Sequence, residues 1–160
     1  MRVVRVGILT VSDRGSRGER ADTSGAAIRE MVVGSGGEVV RTAIVADERA
    51  QIAARLREWC DEGLDLVLTT GGTGLAARDV TPEATLDVAE RLAPGIAEAM
   101  RAEGLRHTPR AMLSRAVAAV RGSTLIVNLP GSEKGVRECL GAVIDVLPHA
   151  VELLRGDTEH

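Results

Sequence analysis

Five short stretches hold residues that could do chemistry together. The longest is LDLVLTTGGTGLAARDVTPE, from Leu64 to Glu83. Within it Gly71, Gly72 and Gly74 flank Thr73; glycines reach positive φ and carry no Cβ, so amide N–H groups can turn toward a closely approaching anion. Asp79 follows in the same stretch. A carboxylate beside such a cradle repels a phosphate unless a cation stands between them, which makes Asp79 a candidate Mg²⁺ ligand. Asp47, in VADERAQI, is a second carboxylate of this kind. Taken alone it reads as a helix N-cap worth about 1 kcal/mol, and Asp79 near a helix start would gain roughly 0.3–1 kcal/mol from the helix dipole. Two such aspartates at one edge with a glycine cradle favour the metal reading. Ser12-Asp13 could simply turn the chain, and Asn128 could bond its own Pro130-Gly131 turn. Ser114-Arg115 has no evident structural duty, and Lys134 at a helix start opposes the dipole. His107, His149 and His160 are scattered, so no Ser-His-Asp or Cys-His arrangement can be argued. The GGTG run is neither GxGxxG nor a P-loop.

The elements that must position these residues follow from the apolar patterns. Val3 to Val11, Glu38 to Val45, Leu64 to Thr70 and Thr124 to Leu129 read as buried strands. Between them lie amphipathic helices: one capped by Thr23 and carrying Ile28, Met31 and Val32, and one after Asp47 with Ile52, Leu56, Trp59 and Cys60 on one face. Thr81 and Pro82 read as N-cap and first residue of a third, which Leu86, Ala89 and Leu92 continue toward Pro94-Gly95. A short helix is expected over Ile96 to Leu105. From Pro109 to Val120 the pattern allows either helix or a strand over Ala116 to Val120 that turns at Arg121-Gly122. Ser132 caps the last helix, with Val136, Leu140, Val143 and Leu147 inward, and Pro148 restarts it. Strands alternating with helices imply right-handed crossovers and an α/β fold, a mainly parallel sheet covered on both faces. Its loops then gather at one edge, where such sheets bind ligands.

A chain of 160 residues fits one domain, with a polar tail over 155–160 expected to fray. Phe and Tyr are absent and Trp59 is the only aromatic, which removes the stacking platforms that single-strand and RNA binders use. A net charge of −3 argues against nucleic acid and anionic membranes as partners. Cys60 and Cys139 fall in helices and read as reduced thiols. No apolar run approaches the roughly 18 residues of a membrane span, and MRVVRVGIL shows no cleavage site, so the reading is cytoplasmic.

TVSDRG (10–15), ADE (46–48), TTGGTGLAARDVTPEAT (69–85), LSRAVAAVRGSTLIVNLPGS (113–132) and the closing helix resemble the MoaB/Mog family of molybdenum-cofactor biosynthesis proteins. The resemblance implies a three-layer α/β/α fold, a homotrimer, and a molybdopterin adenylyltransferase that uses Mg²⁺ and ATP to place AMP on molybdopterin. By the same resemblance Asp47 and Asp79 are the essential acidic positions, catalytic and metal-binding. Ser114 matches a serine of the substrate region and Asn128 an asparagine of the nucleotide site. Ser12, Asp13, Gly71, Gly72, Thr73, Gly74, Pro130 and Gly131 match loops lining the pocket, with Arg115 and Lys134 as candidates for holding phosphate or the pterin's acidic groups. A downstream molybdenum-insertion protein would be the partner. The chemistry brings anion to anion, which calls for charge neutralisation and in-line placement rather than a covalent nucleophile. The alternative is a non-catalytic trimeric module that binds molybdopterin or nucleotide, and a third reading is a nucleotide-cleaving enzyme sharing the domain.

Overall fold

A computed structural model describes residues 3–156. Its strands are β1 (Arg5–Val11), β2 (Glu38–Val45), β3 (Leu66–Thr70), β4 (Arg91–Leu92), β5 (Ala118–Arg121) and β6 (Thr124–Leu129). The helices are α1 (Asp13–Ser16), α2 (Thr23–Gly34), α3 (Arg49–Asp61), α4 (Thr81–Val88), α5 (Pro94–Leu105), α6 (Glu133–Val143) and α7 (Leu147–Arg155), with a 3₁₀ turn over Pro109–Leu113. One sheet runs in the order β2-β1-β3-β6-β5-β4; β2, β1, β3 and β6 are parallel, and β5 and β4 extend it antiparallel.

The uninterrupted apolar runs of β3 and β6 are buried along their whole length because helices cover both faces. Alternation along each strand sorts the core into two layers. Val6, Ile8, Leu66, Leu68, Leu125 and Val127 pack with residues of α2, α5, α6 and α7, while Leu9, Val67 and Ile126 pack with α3 and α4 around Trp59. This is the expected three-layer α/β/α sandwich.

Several boundaries differ from the sequence reading. Asp22, not Thr23, caps α2, its carboxylate accepting from Gly25 N at 2.9 Å. Thr81 is inside α4, whose preceding residue, Val80, supplies no side-chain cap. That helix buries Ala84, Thr85 and Val88 and leaves Leu86 46% exposed, so it stops at Val88 instead of running to Leu92. Glu90 N and Ala93 N donate to the carbonyls of Val120 and Ala118, which captures Arg91–Leu92 as an edge strand. Pro94 then opens α5, where its missing N–H costs nothing. Gly122, at φ +59°, closes the β5–β6 hairpin and settles the ambiguous stretch as a strand. Among the described residues no helix is long and apolar enough to cross a membrane.

The registers Val11↔Val45, Thr10↔Thr70 and Thr70↔Leu129 bring the C-terminal ends of the four parallel strands level. At the opposite edge the chain ends are tied by one buried ion pair. Asp65 accepts Arg5 N at 2.8 Å and both Nε and Nη2 of Arg155, and each side chain is only 7% exposed. Arg155, expected in a fraying tail, is therefore held in the protein; residues 157–160 lie outside the described residues. Removing one member of such a pair strands a buried charge. Asp65→Ala is expected to cost about 3–5 kcal/mol in urea denaturation, and a loss below 1 kcal/mol would show that the pair is dispensable.

Candidate functional site

Above the level strand ends lies a cavity of about 570 Å³, floored by Thr10, Val11 and Thr70 and walled by Ser12, Gly71, Gly72 and Gly131. Gly71 and Gly72 have φ of +98° and +69°; Gly74 does not need the left-handed region. A Cβ on Gly71 would run into the Val11 carbonyl, and one on Gly72 into the Thr81 hydroxyl while lying 3.3 Å from Asp47 Oδ1. Glycine is thus what lets the loop pass between the ends of β1 and β3 and keeps room beside Asp47. Gly71 N is spent on the Leu129 carbonyl at 3.2 Å. The amides of Gly72, Thr73 and Gly74 have no partner among the described residues. The N-termini of α2 and α6 meet the same cavity through Thr23, Ser24, Ser132 and Glu133, and helix N-termini carry unsatisfied N–H groups and positive partial charge.

Asp47 and Asp79 both line this cavity. Asp47 is not a cap: α3 begins at Arg49 behind Glu48, which makes no side-chain cap bond. Instead Asp13 and Asp47 grip one another. Asp13 N donates to Asp47 Oδ2 at 2.8 Å, and Asp47 N donates to Asp13 Oδ1 at 2.9 Å. Asp47 Oδ1 is left without a donor among the described residues. Burial pushes the Asp47 carboxyl above its ordinary range, with the Asp13 and Asp79 charges adding to the push and the Asp13 amide opposing it. Asp79 Oδ2 accepts Ala76 N at 3.1 Å, leaving its second oxygen free. Asp13 itself does not reach the cavity; the Arg78 guanidinium clasps it and holds its carboxyl below the usual range.

Ser12 lines the cavity but is also the N-cap of α1, its Oγ accepting Gly15 N at 2.9 Å. Thr73, Gly74, Ser114, Asn128, Pro130 and Lys134 border a second cavity of about 330 Å³ on the other side of the glycine loop. Ser132 borders both cavities. Asn128 is completely buried and its amide is occupied: Nδ2 donates to Thr69 Oγ1 and Thr85 Oγ1, each at 3.0 Å, and Oδ1 accepts Val117 N at 3.1 Å. It ties β6 to β3 and α4 rather than to its own turn.

Arg115 borders neither cavity. Its guanidinium donates to the carbonyls of Gly74 at 2.7 Å and Asp79 at 2.6 Å and pairs with Glu83 at 2.6 Å, while its N–H reaches the Thr73 carbonyl at 2.8 Å. The expected anion-holding arginine is a clamp on the loop that carries Asp79, because each of its three guanidinium nitrogens donates to a fixed acceptor. The sequence reading missed Arg20, Asp22 and Glu133 in the first cavity and Arg101, His107 and Arg110 in the second. The only signal for them was position: Asp22 and Glu133 stand at the starts of helices whose N-termini meet the site.

The two cavities differ in charge. The first carries Asp22, Asp47, Asp79 and Glu133 against Arg20; the second carries Arg101, Arg110 and Lys134 with His107 against Glu138. The second therefore favours an anion directly, whereas an anion in the first meets four carboxylates.

The model of the family described as "Probable molybdopterin binding domain" matches residues 7–149. A Helicobacter pylori protein named molybdopterin adenylyltransferase is 45% identical over 164 residues, covering 98% of this chain and 91% of that protein. The Escherichia coli K12 protein of the same name is 40% identical over 171 residues, covering 98% of this chain and 88% of its own. The crystal structure of the molybdopterin biosynthesis enzyme MoaB from Thermus thermophilus superposes with a TM-score of 0.91 at 61% identity, covering 96% of this chain and 98% of that one.

Two stability measurements check this account. Lysine cannot reproduce a three-way fork, so Arg115→Lys is expected to lose about 1–3 kcal/mol from the unpaired carbonyls and Glu83; an unchanged urea midpoint would refute the clamp. Because the folded-state pKa of Asp47 is raised, the stability this group contributes is complete below its unfolded pKa and is lost as pH rises through the folded one. Asp47→Asn should therefore match the wild type at acid pH and equal or exceed its stability near neutrality, within about 0.5 kcal/mol. A variant less stable at neutral pH would mean that the charged carboxylate has a structural duty.

Proposed function

Because the chain belongs to the family of probable molybdopterin-binding domains, we propose that it is a molybdopterin adenylyltransferase, transferring AMP from ATP to the terminal phosphate of molybdopterin. The observation that carries this reading is the pairing of an acidic cavity, holding two carboxylates that each have an oxygen to spare, with a basic cavity across one glycine loop. The relatives bearing that name align over nearly the whole chain.

The residues fit Mg²⁺ brought in with the nucleotide. Among the described residues no group of three or more His, Cys, Asp or Glu could hold a metal by itself, and Mg²⁺ is commonly held by one or two carboxylates plus substrate phosphates. Asp47 Oδ1 and the free oxygen of Asp79 would hold it, and Gly72 leaves the space beside Asp47 open. When bound there, Mg²⁺ supplies neutralisation of the triphosphate and of the charge that develops at the α-phosphorus.

This chain's own groups do the rest. The free amides of Gly72 to Gly74 and the N-termini of α2 and α6 bind phosphate oxygens. Arg20, the only cationic side chain among the described residues on the wall of the first cavity, faces the charge that leaves with pyrophosphate. Lys134 and Arg110 hold the anionic pterin in the second cavity, with Ser114 at its rim. A terminal phosphate oxygen of molybdopterin then bonds to the α-phosphorus, the bond from that phosphorus to the bridging oxygen breaks, and pyrophosphate carries away the electron pair. No protonated nucleophile has to be activated, which accords with a first cavity that holds no histidine among the described residues.

The test is turnover with molybdopterin, ATP and Mg²⁺, following adenylylated molybdopterin and pyrophosphate. Wild type should form both products. Asp47→Asn should lose at least about 100-fold in kcat, the scale of removing one electrostatic contact to a reacting group, and Arg20→Ala should raise KM for ATP about tenfold. Wild type that binds molybdopterin yet makes no product would turn the reading to a non-catalytic binding module; ATP loss without molybdopterin would turn it to a nucleotide-cleaving enzyme.

A further inference from the structure

We propose that Arg78 is a positioning residue for the adenylyl transfer, acting on Asp47 through Asp13; this rests on the function proposed above. Arg78 borders neither cavity and its side chain is 56% exposed, so by location it looks like a dispensable surface cation. Its contacts say otherwise. Nε donates to Asp13 Oδ2 at 3.0 Å, and Nη2 donates to Asp13 Oδ1 at 2.8 Å and to Glu48 Oε1 at 3.1 Å. The two-toothed grip fixes the plane of the Asp13 carboxylate as well as its position. That plane matters because Asp13 Oδ1 is also the acceptor for Asp47 N. Asp13 N in turn holds Asp47 Oδ2, which leaves Oδ1 as the Asp47 oxygen free for a ligand.

Arg78 also sits one residue before Asp79, in the loop that Arg115 clamps from the other side. One guanidinium therefore joins three chain segments: the end of β1 through Asp13, the start of α3 through Glu48, and the loop bearing Asp79. Two carboxylates meant to share one cation repel one another until it arrives. A brace between their segments keeps their separation fixed in the free protein, so that geometry need not be assembled during turnover.

An exposed ion pair contributes little to global stability, so the role separates cleanly from folding. Arg78→Ala should leave the thermal midpoint within about 2 °C, the shift of less than 1 kcal/mol in a domain this size. Amide hydrogen exchange in the ligand-free protein should be at least about tenfold faster at Asp47, the residue whose N–H the Asp13 carboxylate protects. With molybdopterin, ATP and Mg²⁺, kcat should fall about tenfold while KM for ATP stays within about threefold, the pattern of a contact that matters for the transition state more than for binding. Arg78→Lys, which keeps the charge but not the fork, should fall between the two proteins. The deciding arm is the double variant: in an Asp13→Asn background, Arg78→Ala should cost less than about twofold more, because residues acting through one link are not additive.

Unchanged Asp47 exchange in Arg78→Ala overturns the proposal, as does a full additional loss in the Asp13→Asn background, which would place Arg78 on the substrate. A wild type without turnover refutes the adenylyltransferase reading and with it any catalytic role for Arg78, leaving only the link from Arg78 to Asp47 to be tested. The Asp47 exchange rate in Arg78→Ala then decides alone whether Arg78 holds Asp47.

Discussion

The constraint on which the rest of this structure depends is that the carboxylates of Asp13, Asp47 and Asp79 are kept close together in a partly buried place. Left to itself such a cluster would swing apart or take up protons. Here its members are held in place, because each carboxylate is tied to a backbone amide of another residue. Asp13 and Asp47 exchange carboxylate–amide bonds across the ends of β1 and β2, and Asp79 ties itself to Ala76 N. Each bond uses one oxygen and sets the direction of the other. The strands make this possible: with Val11 paired to Val45, Ser12 N is still bonded to the Val45 carbonyl at 2.9 Å, so the two chains leave the sheet side by side.

The same arrangement explains the division into two cavities. The glycine loop crosses the sheet edge as a low partition, possible only where side chains are absent on the β1 side. One side of the partition collects acidic groups, and the other collects basic ones. Two anionic substrates can thus be received by opposite chemistry, one with a cation and one without, and still meet across a single loop. Overall charge has no part in this. A net charge of −3 leaves little long-range attraction, so local amides and a few placed cations must do the selecting.

What the sequence made legible was what local chemistry determines. Four parallel strands, the sandwich around them, and the gathering of Ser12, Asp47, Gly71 and Gly131 at one edge followed from apolar runs and glycine spacing. Leu92 was misread because helical spacing continued past Val88, while the backbone there was claimed by the free edge of β5, a partner distant in sequence. Arg115 was misread for a related reason. An arginine beside a serine in a loop looks available for an anion, and only the folded loop shows that the carbonyls of Gly74 and Asp79 and the Glu83 carboxylate had already taken its donors. Asn128 was placed at the right strand end with the wrong partners, since Thr69 and Thr85 come from two other elements. Long-range hydrogen bonds are the part that spacing along the chain does not encode.

Arginine's repeated use as a brace gives these separate facts one physical basis. Arg49 holds Asp87 with two bonds of 2.7 Å, Arg101 holds the carbonyls of Ser114 and Ala116, Arg121 holds that of Val88, and Arg155 closes the far edge on Asp65. Each joins segments that the sheet alone does not fix, and a lysine, with one nitrogen, could not reproduce the two-nitrogen grips of Arg49 and Arg155. A chain rich in arginine therefore offers few of them to a ligand. Of the cationic side chains around the two cavities, Arg20, Arg110 and Lys134 are without such a commitment among the described residues. A phosphate entering this site meets backbone first and side-chain charge second, and selectivity follows from where the braces hold that backbone.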